Sequence, residues 1–293
     1  MSGGVSARPG PKARGTRAGS GVTARGTSLR YGVLVALAAM VLLPFAGIVL
    51  AALHPQGEQV GGLSIPGEWS WGNFQQAWER GNFGNLMRSS LLIAVCVVPL
   101  AVTLATLAAY GLTVLQAWGN RTLSAGFVLG LTLPVELVVV ALYYNLREVG
   151  LTDSYSGIIL AEVALFMPFG VYWMQAHFSG IPRELVEAAR IDGARDLSVL
   201  VRVLLPISWP AITTLSVLYF MWSWNQFLLV LVMMQDPDRR TAPTGLGLFV
   251  GQYSTNIPLL AAASLIVIAP IVLVYLTFQR SFVNGITQGA IKS

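Results

Sequence analysis

Charge is what this 293-residue chain has least of: Asp, Glu, Lys and Arg make up 11% of it, against 55% apolar residues. A water-soluble domain carries about a quarter of its residues charged, so this composition excludes an ordinary globular domain and indicates a chain solvated by lipid. Lysine occurs only as Lys12 and Lys292, one near each end. A phosphate-cradling loop needs Gly-x-x-x-x-Gly-Lys followed by Ser or Thr, so P-loop ATP binding is excluded. The single cysteine, Cys96, excludes an internal disulfide and a thiolate metal cluster. The two histidines, His54 and His177, fall at opposite ends of apolar runs, too far apart to share a metal. Neither His-Glu-x-x-His nor Gly-x-Ser-x-Gly occurs, which removes the simple hydrolase readings.

What the chain has is apolar length. Crossing roughly 30 Å of hydrocarbon takes about 20 helical residues, and six runs meet that requirement: 31–53, 89–115, 122–144, 157–178, 210–234 and 259–282. They are long and continuous, unlike the short alternating strands of a membrane barrel. The expected fold is all-α, a polytopic membrane protein with six transmembrane helices over residues 31–293.

Residues 1–30 are rich in Gly, Ser, Thr, Ala and Arg, which predicts a disordered basic tail. Arg8, Lys12, Arg14, Arg17, Arg25 and Arg30 lie in it without an acidic residue. Cytoplasmic segments keep the positive charge, so the tail is expected inside. With six spans both termini are then cytoplasmic, leaving 13 basic residues inside against five outside. The first apolar run, 23 residues long, exceeds the usual signal-peptide core and is expected to be retained.

Between the fourth and fifth runs, Arg183 to Arg202 holds eight ionisable residues, four of each sign. Burying them at mid-membrane would cost roughly 20 kcal/mol on the insertion scale, so this segment, within loop 182–206, lies outside the hydrocarbon. Pro182 suits a helix start, Glu184 and Glu187 its N-terminal turn, and Gly193 a left-handed C-terminal cap. A helix of about three turns is expected, with Leu185, Ala188 and Ala189 on one smooth face. Periodicity alone leaves open whether it docks a partner or is a solvated connector.

A resemblance separates the two. Glu187-Ala188-Ala189, then Gly193, then Val203-Leu204-Leu205-Pro206 resembles the EAA loop of permease subunits of ABC importers, with Val203 in place of the usual Ile. Asp192-Gly193-Ala194 resembles the carbohydrate, maltose-transporter-type branch. "NFGNLMRSSLLIAV" (82–95), "SWNQF" (223–227) and "FQRSFVNGITQGAIKS" (278–293) resemble further stretches of that branch. Ser89 and the terminal Ser293 depart from its usual Asn and Gly. The resemblance implies a type I ABC importer permease fold and transport of a sugar or related solute by alternating access in the cell membrane. Implied partners are a second homologous permease, an ATP-binding subunit dimer and an extracytoplasmic solute-binding protein. ATP and Mg would be held by the partner ATPase, with no cofactor in this chain. Glu187, Ala188, Ala189, Arg190, Asp192 and Gly193 would bear the ATPase-coupling contact, Arg190 through a charge pair. Pro206 and Pro210 would separate that segment from the fifth span.

Ionisable residues inside spans are site candidates, which brings in Glu162 and Glu136; a buried hydrogen bond between helices explains either as well. Sugars stack on aromatic faces and bond amides, so Tyr219, Trp222, Ser223, Trp224 and Asn225 are the expected substrate path, although Trp and Tyr also anchor membrane interfaces. Gly126 and Gly130 form a small-xxx-small pair. An ion-coupled secondary transporter is the alternative, requiring inverted repeats. A membrane-embedded enzyme would require a catalytic constellation inside the spans.

Overall fold

A computed structural model describes residues 24–58, 60–251 and 255–290. Among them the regular structure is helical, apart from one isolated antiparallel bridge between Val250 and Thr255. The chain divides into two compact units, residues 1–46 and 47–293. The described part of the first belongs to helix α1 (Ala24–Ala52). Residues 24–30, expected in the disordered tail, are therefore helical. No proline interrupts the chain between Pro11 and Pro44, so a helix nucleated in the apolar run can propagate backwards. The rest of the expected tail lies outside the described residues.

Helices α1, α3 (Phe83–Thr113), α6 (Tyr155–Ser179) and α12 (Ile257–Ala290) are long and apolar enough to cross a membrane, as is the stretch Asp196–Trp224. Each contains an internal proline: Pro44, Pro99, Pro168, Pro270 and Pro210 respectively. Membrane helices tolerate this where neighbouring groups satisfy the backbone. Several hydroxyls within these helices bond carbonyls four residues back, as in Thr106 to Val102, Thr214 to Pro210 and Ser264 to Leu260, so these present no bare donor to lipid.

The third run departs from expectation. Instead of one helix over 122–144 it forms α4 (Asn120–Gly130) and α5 (Val135–Glu148), bent by 106°. Pro134 has no N–H to continue the ladder, and its ring forces Leu133 out of the helical region. Counting this pair as one broken span brings the total to six. Glu136 is exposed in the first turn of α5. Gly130 packs against Pro168, whereas nothing closely approaches Gly126.

The fifth span is also displaced. It begins with α8 (Asp196–Val199), passes through a π-helical turn at Leu200–Leu204, and continues as α9 (Leu205–Trp224). Pro206 and Pro210 thus lie within a continuous helical stretch and do not divide it. The wider π turn, closed by Leu205 N–H on the Leu200 carbonyl, adds a residue just before Pro206, where the regular pattern would be interrupted anyway. The span ends at Trp224, not Met234; Leu228–Met233 is a separate short helix, α10.

The main core lies among α3, α6, α9 and α10. Its tightest crossing is at Gly170, where an added Cβ would collide with the Tyr219 hydroxyl and the Ala105 methyl. Only the missing side chain lets α3, α6 and α9 approach this closely. A second cluster joins the end of α1, helix α2 (Gly72–Arg80), the start of α3 and α12. At that end of the bundle the α9–α12 connection folds back over the other loops. Asp153 accepts N–H bonds from Gln235 and Asp236, and the N–H of Ala242, opening short helix α11 (Ala242–Gly245), donates to Ser90.

Gly170→Val is expected to destabilise the bundle by about 1–3 kcal/mol or more, as overpacking does in tight cores. The measurement is the melting temperature of the purified protein followed by loss of its monodisperse chromatographic peak; an unchanged melting point would show that the crossing is not tight.

Candidate functional site

The polar segment between α6 and α9 folds into α7 (Arg183–Ile191), two and a half turns long, with Pro182 extended at its N-cap. Its C-terminus is closed by two bonds, Gly193 N–H to the Arg190 carbonyl and Ala194 N–H to the Ala189 carbonyl, each 3.0 Å. This double closure needs a left-handed residue between them, and Gly193 has φ of +82°. No atom lies near where its Cβ would be, so backbone conformation, not space, selects glycine here.

The smooth face expected from Leu185, Ala188 and Ala189 is divided in the structure. Val186, Ala189 and Ala194 pack against the core. Glu184, Ala188 and Ile191 point away from the bundle, with Ile191 86% exposed. Sequence reasoning missed Ile191, because an isoleucine at the end of an amphipathic helix reads as core. Glu187 and Arg190 lie at a cavity of about 360 Å³ between α7 and the end of α3, lined also by Thr113, Gln116, Phe178 and Arg183. Asp192 and Gly193 are exposed.

Arg190 has its charge partner within this chain, the Asp196 carboxylate at 3.0 Å. The pair spans the turn from α7 to α8. Both side chains are about half exposed, so the contact contributes at most about 1 kcal/mol. The Asp196 carbonyl in turn accepts the Tyr110 hydroxyl at 2.8 Å, while the Tyr110 ring meets Phe178 edge-on. The loop is therefore tied to α3 as well as to α6 and α9.

Above the loop, α6 and α9 are joined in antiparallel register by a ladder of polar contacts. His177 meets Ser208 at 3.0 Å, Trp173 Nε1 donates to the Ala211 carbonyl at 3.1 Å, and the Tyr219 hydroxyl donates to the Phe166 carbonyl at 2.6 Å. Glu162 and Ser223 face each other at the next position. Glu162 is 0% exposed, and among the described residues neither its carboxylate oxygens nor the Ser223 hydroxyl meets a partner with full hydrogen-bond geometry.

This ladder divides the expected substrate path. Tyr219, Ser223 and Trp224 are buried, and Trp224 Nε1 donates to the Val267 carbonyl of α12 at 3.0 Å. Tyr219 and Trp224 thus bond neighbouring helices in this structure, and Ser223 and Glu162 are buried beside them. Trp222 and Asn225 are exposed. Trp222 sits edge-on to Phe166 and Phe169 and tilted against Tyr219, and is 39% exposed. Among the described residues, no group of three or more His, Cys, Asp or Glu is placed to hold a metal ion.

Comparison with known proteins follows from this geometry. Residues 81–288 match the family described as "Binding-protein-dependent transport system inner membrane component". The diacetylchitobiose uptake system permease protein of Streptomyces coelicolor is 29% identical over 94% of this chain and 92% of its own length. A probable ABC transporter permease protein of Pyrococcus horikoshii is 34% identical over 83% and 90%. The melibiose/raffinose/stachyose import permease protein of Bacillus subtilis is 30% identical over 92% and 99%. In fold, a chain of a bacterial ABC transporter involved in import of the polysaccharide alginate superposes with a TM-score of 0.74 at 20% identity, over 88% of this chain and 97% of that one.

Gly193→Ala is expected to weaken the closure of α7 by about 1–2 kcal/mol through the left-handed backbone, and Gly193→Asn by less, since Asn tolerates that region. Amide hydrogen exchange at residues 190–194 reads this directly. Exchange unchanged from the parent protein in both variants would show that the cap is not what holds the turn.

Proposed function

The chain belongs to the family of binding-protein-dependent transport system inner membrane components, and from that premise we propose that it imports a carbohydrate, with helix α7 as the contact through which a separate ATPase drives it. Family membership makes it a multi-pass membrane permease subunit of an ATP-driven importer and sets aside the ion-coupled alternative. The observation that carries the mechanical part is α7 itself. It is a short capped helix, presenting Glu184, Ala188 and Ile191 outward, packed on the bundle core through Val186 and Ala189, and followed by a turn that Tyr110 of α3 bonds at Asp196. Small and apolar side chains on that face allow a cleft in a partner to close around the backbone.

In this reading the ATPase dimer, holding ATP and Mg, grips the outer face of α7. Glu187 and Arg190 act behind it, on the side toward α3, and Gly193 and Asp192 shape its exit. Arg190 stiffens the turn through Asp196 and is not spent on the partner. Closure of the ATPase dimer pulls α6 and α9 through α7 and switches the permease between inward-facing and outward-facing states. The chain supplies force transmission and a path, and the chemistry of hydrolysis belongs to the partner. A second homologous permease completes the pathway, and an extracytoplasmic solute-binding protein delivers the cargo.

The carbohydrate part rests on what the relatives are named for, a chitin disaccharide derivative and galactosyl oligosaccharides. Trp222 and Asn225 remain the stacking and amide groups open to such a cargo. The distribution of basic residues supports cytoplasmic termini and a cytoplasmic α7.

The test is an assay of the reconstituted importer with its ATPase and binding protein. Ile191→Asp and Ala188→Trp are expected to abolish uptake and the stimulation of ATP hydrolysis by loaded binding protein, with the chain still inserted. Trp222→Ala is expected to lower uptake while leaving that stimulation. Uptake that persists in the Ile191 variant, or that needs no ATPase, would overturn the reading. A cysteine placed at Ala188 in a Cys96→Ala background should react with an impermeant thiol reagent only from the cytoplasmic side; labelling from outside would reverse the topology.

A further inference from the structure

Helix α2 has three distinct faces, and only two of them are accounted for by protein and water. Asn73 and Ala77, one turn apart, are buried against the bundle. The Asn73 side chain donates to the Ala52 and His54 carbonyls at 2.9 and 2.8 Å, fastening α2 to the end of α1. Gln75 and Glu79, also one turn apart, form an exposed polar face and bond each other at 2.9 Å. Between these two faces run Trp71, Phe74 and Trp78, with Trp71 68% and Trp78 45% exposed. Trp71 stacks on Phe74 and Trp78 reaches Phe83, the first residue of α3, each with ring centres 6.5 Å apart.

The geometry points to the third face as a lipid contact: α2 lies in the headgroup region of the bilayer, with Trp71, Phe74 and Trp78 in the boundary between headgroups and acyl chains. Its level is fixed by the chain, because α2 is tied to the last turn of α1 and touches the first residue of α3, the ends of two spans. Tryptophan is enriched at that depth, where an apolar ring with one N–H donor fits both neighbours. A helix divided into protein, water and aromatic sectors matches a three-phase boundary, as interfacial helices do. The loop before it adds exposed Ile65 and Trp69. The leaflet is the external one under the topology proposed above, but the depth of the helix does not depend on that assignment.

The experiment places single spin labels in a Cys96→Ala background at Trp71→Cys, Gln75→Cys, Trp78→Cys and Glu79→Cys, in the full assembly in nanodiscs without binding protein. Collision with oxygen reports lipid and collision with a water-soluble nickel chelate reports water. Both leaflets are open to the chelate, so topology does not enter. The expected result is a several-fold higher oxygen-to-nickel ratio at positions 71 and 78 than at 75 and 79. A nickel-accessible 71 and 78 would place the face in water, and shielding of both positions from both reagents would place it under a protein; either overturns the proposal. Should the tryptophan variants fail to assemble, oxygen-rich, nickel-poor labels at 75 and 79 overturn it too, since those positions must face water.

Discussion

The crossing at Gly170 is the contact on which the other arrangements depend. With no Cβ there, Tyr219 can bring its ring against Phe166 and its hydroxyl onto the Phe166 carbonyl, and α3 can close the third side through Ala105. In lipid, apolar surface between helices gains little from burial, so association relies on close packing and on hydrogen bonds between helices. Gly170 supplies the first and makes the second reachable. From it the antiparallel register of α6 and α9 runs down through Trp173 and His177 to the loop, and up to Glu162 and Ser223.

That register explains a residue that looked functional for a sound reason. A carboxyl inside a span is expensive, and Glu162 is therefore conspicuous in the sequence. Nothing in the linear pattern tells whether it faces a path or a neighbouring helix, because α6 is apolar all around. Its place one step beyond the Phe166–Tyr219 contact puts it on the seam between α6 and α9. The same seam buries Tyr219 and Ser223, and Trp224 bonds α12. What remains facing outward, Trp222 and Asn225, is set by the helical rotation of α9, which composition does not encode.

The loop was more legible than the spans. Gly193 could be placed because a helix that must end, next to charges that must stay wet, leaves few residues able to take a positive φ. The six apolar runs were visible by length, and α6 fell within two residues of its expected bounds. Pro134 carried the signal for the break between α4 and α5, but the uninterrupted hydropathy around it outweighed that signal in the reading. The opposite error occurred at Pro206 and Pro210, where proline was given too much weight. A π turn ahead of Pro206 absorbs the missing donor, and a π turn has no signature in residue pattern or propensity. Ile191 was hidden for another reason, since its exposure is set by how α7 is turned on the bundle.

Under the coupling proposed above, the distance between the crossing and the loop sets how a push on α7 would reach the bundle. Nine residues of helix separate Gly170 from the end of α6 at Ser179, about 14 Å at 1.5 Å per residue. Helices α6 and α9 are bonded to each other twice along that length, at Trp173 and His177, so they move together more readily than they separate. A displacement of about 3 Å imposed on α7 then corresponds to a tilt of about 12° of the pair about its packed crossing, using the same helical rise. For that tilt to reach α6 and α9, the loop must be stiffer than the bundle is resistant. The Gly193 cap, the Arg190–Asp196 pair and the Tyr110 hydroxyl on the Asp196 carbonyl each remove one way for α7 to yield. The Tyr110 bond does so from α3, which makes α3 the third helix driven by the same displacement.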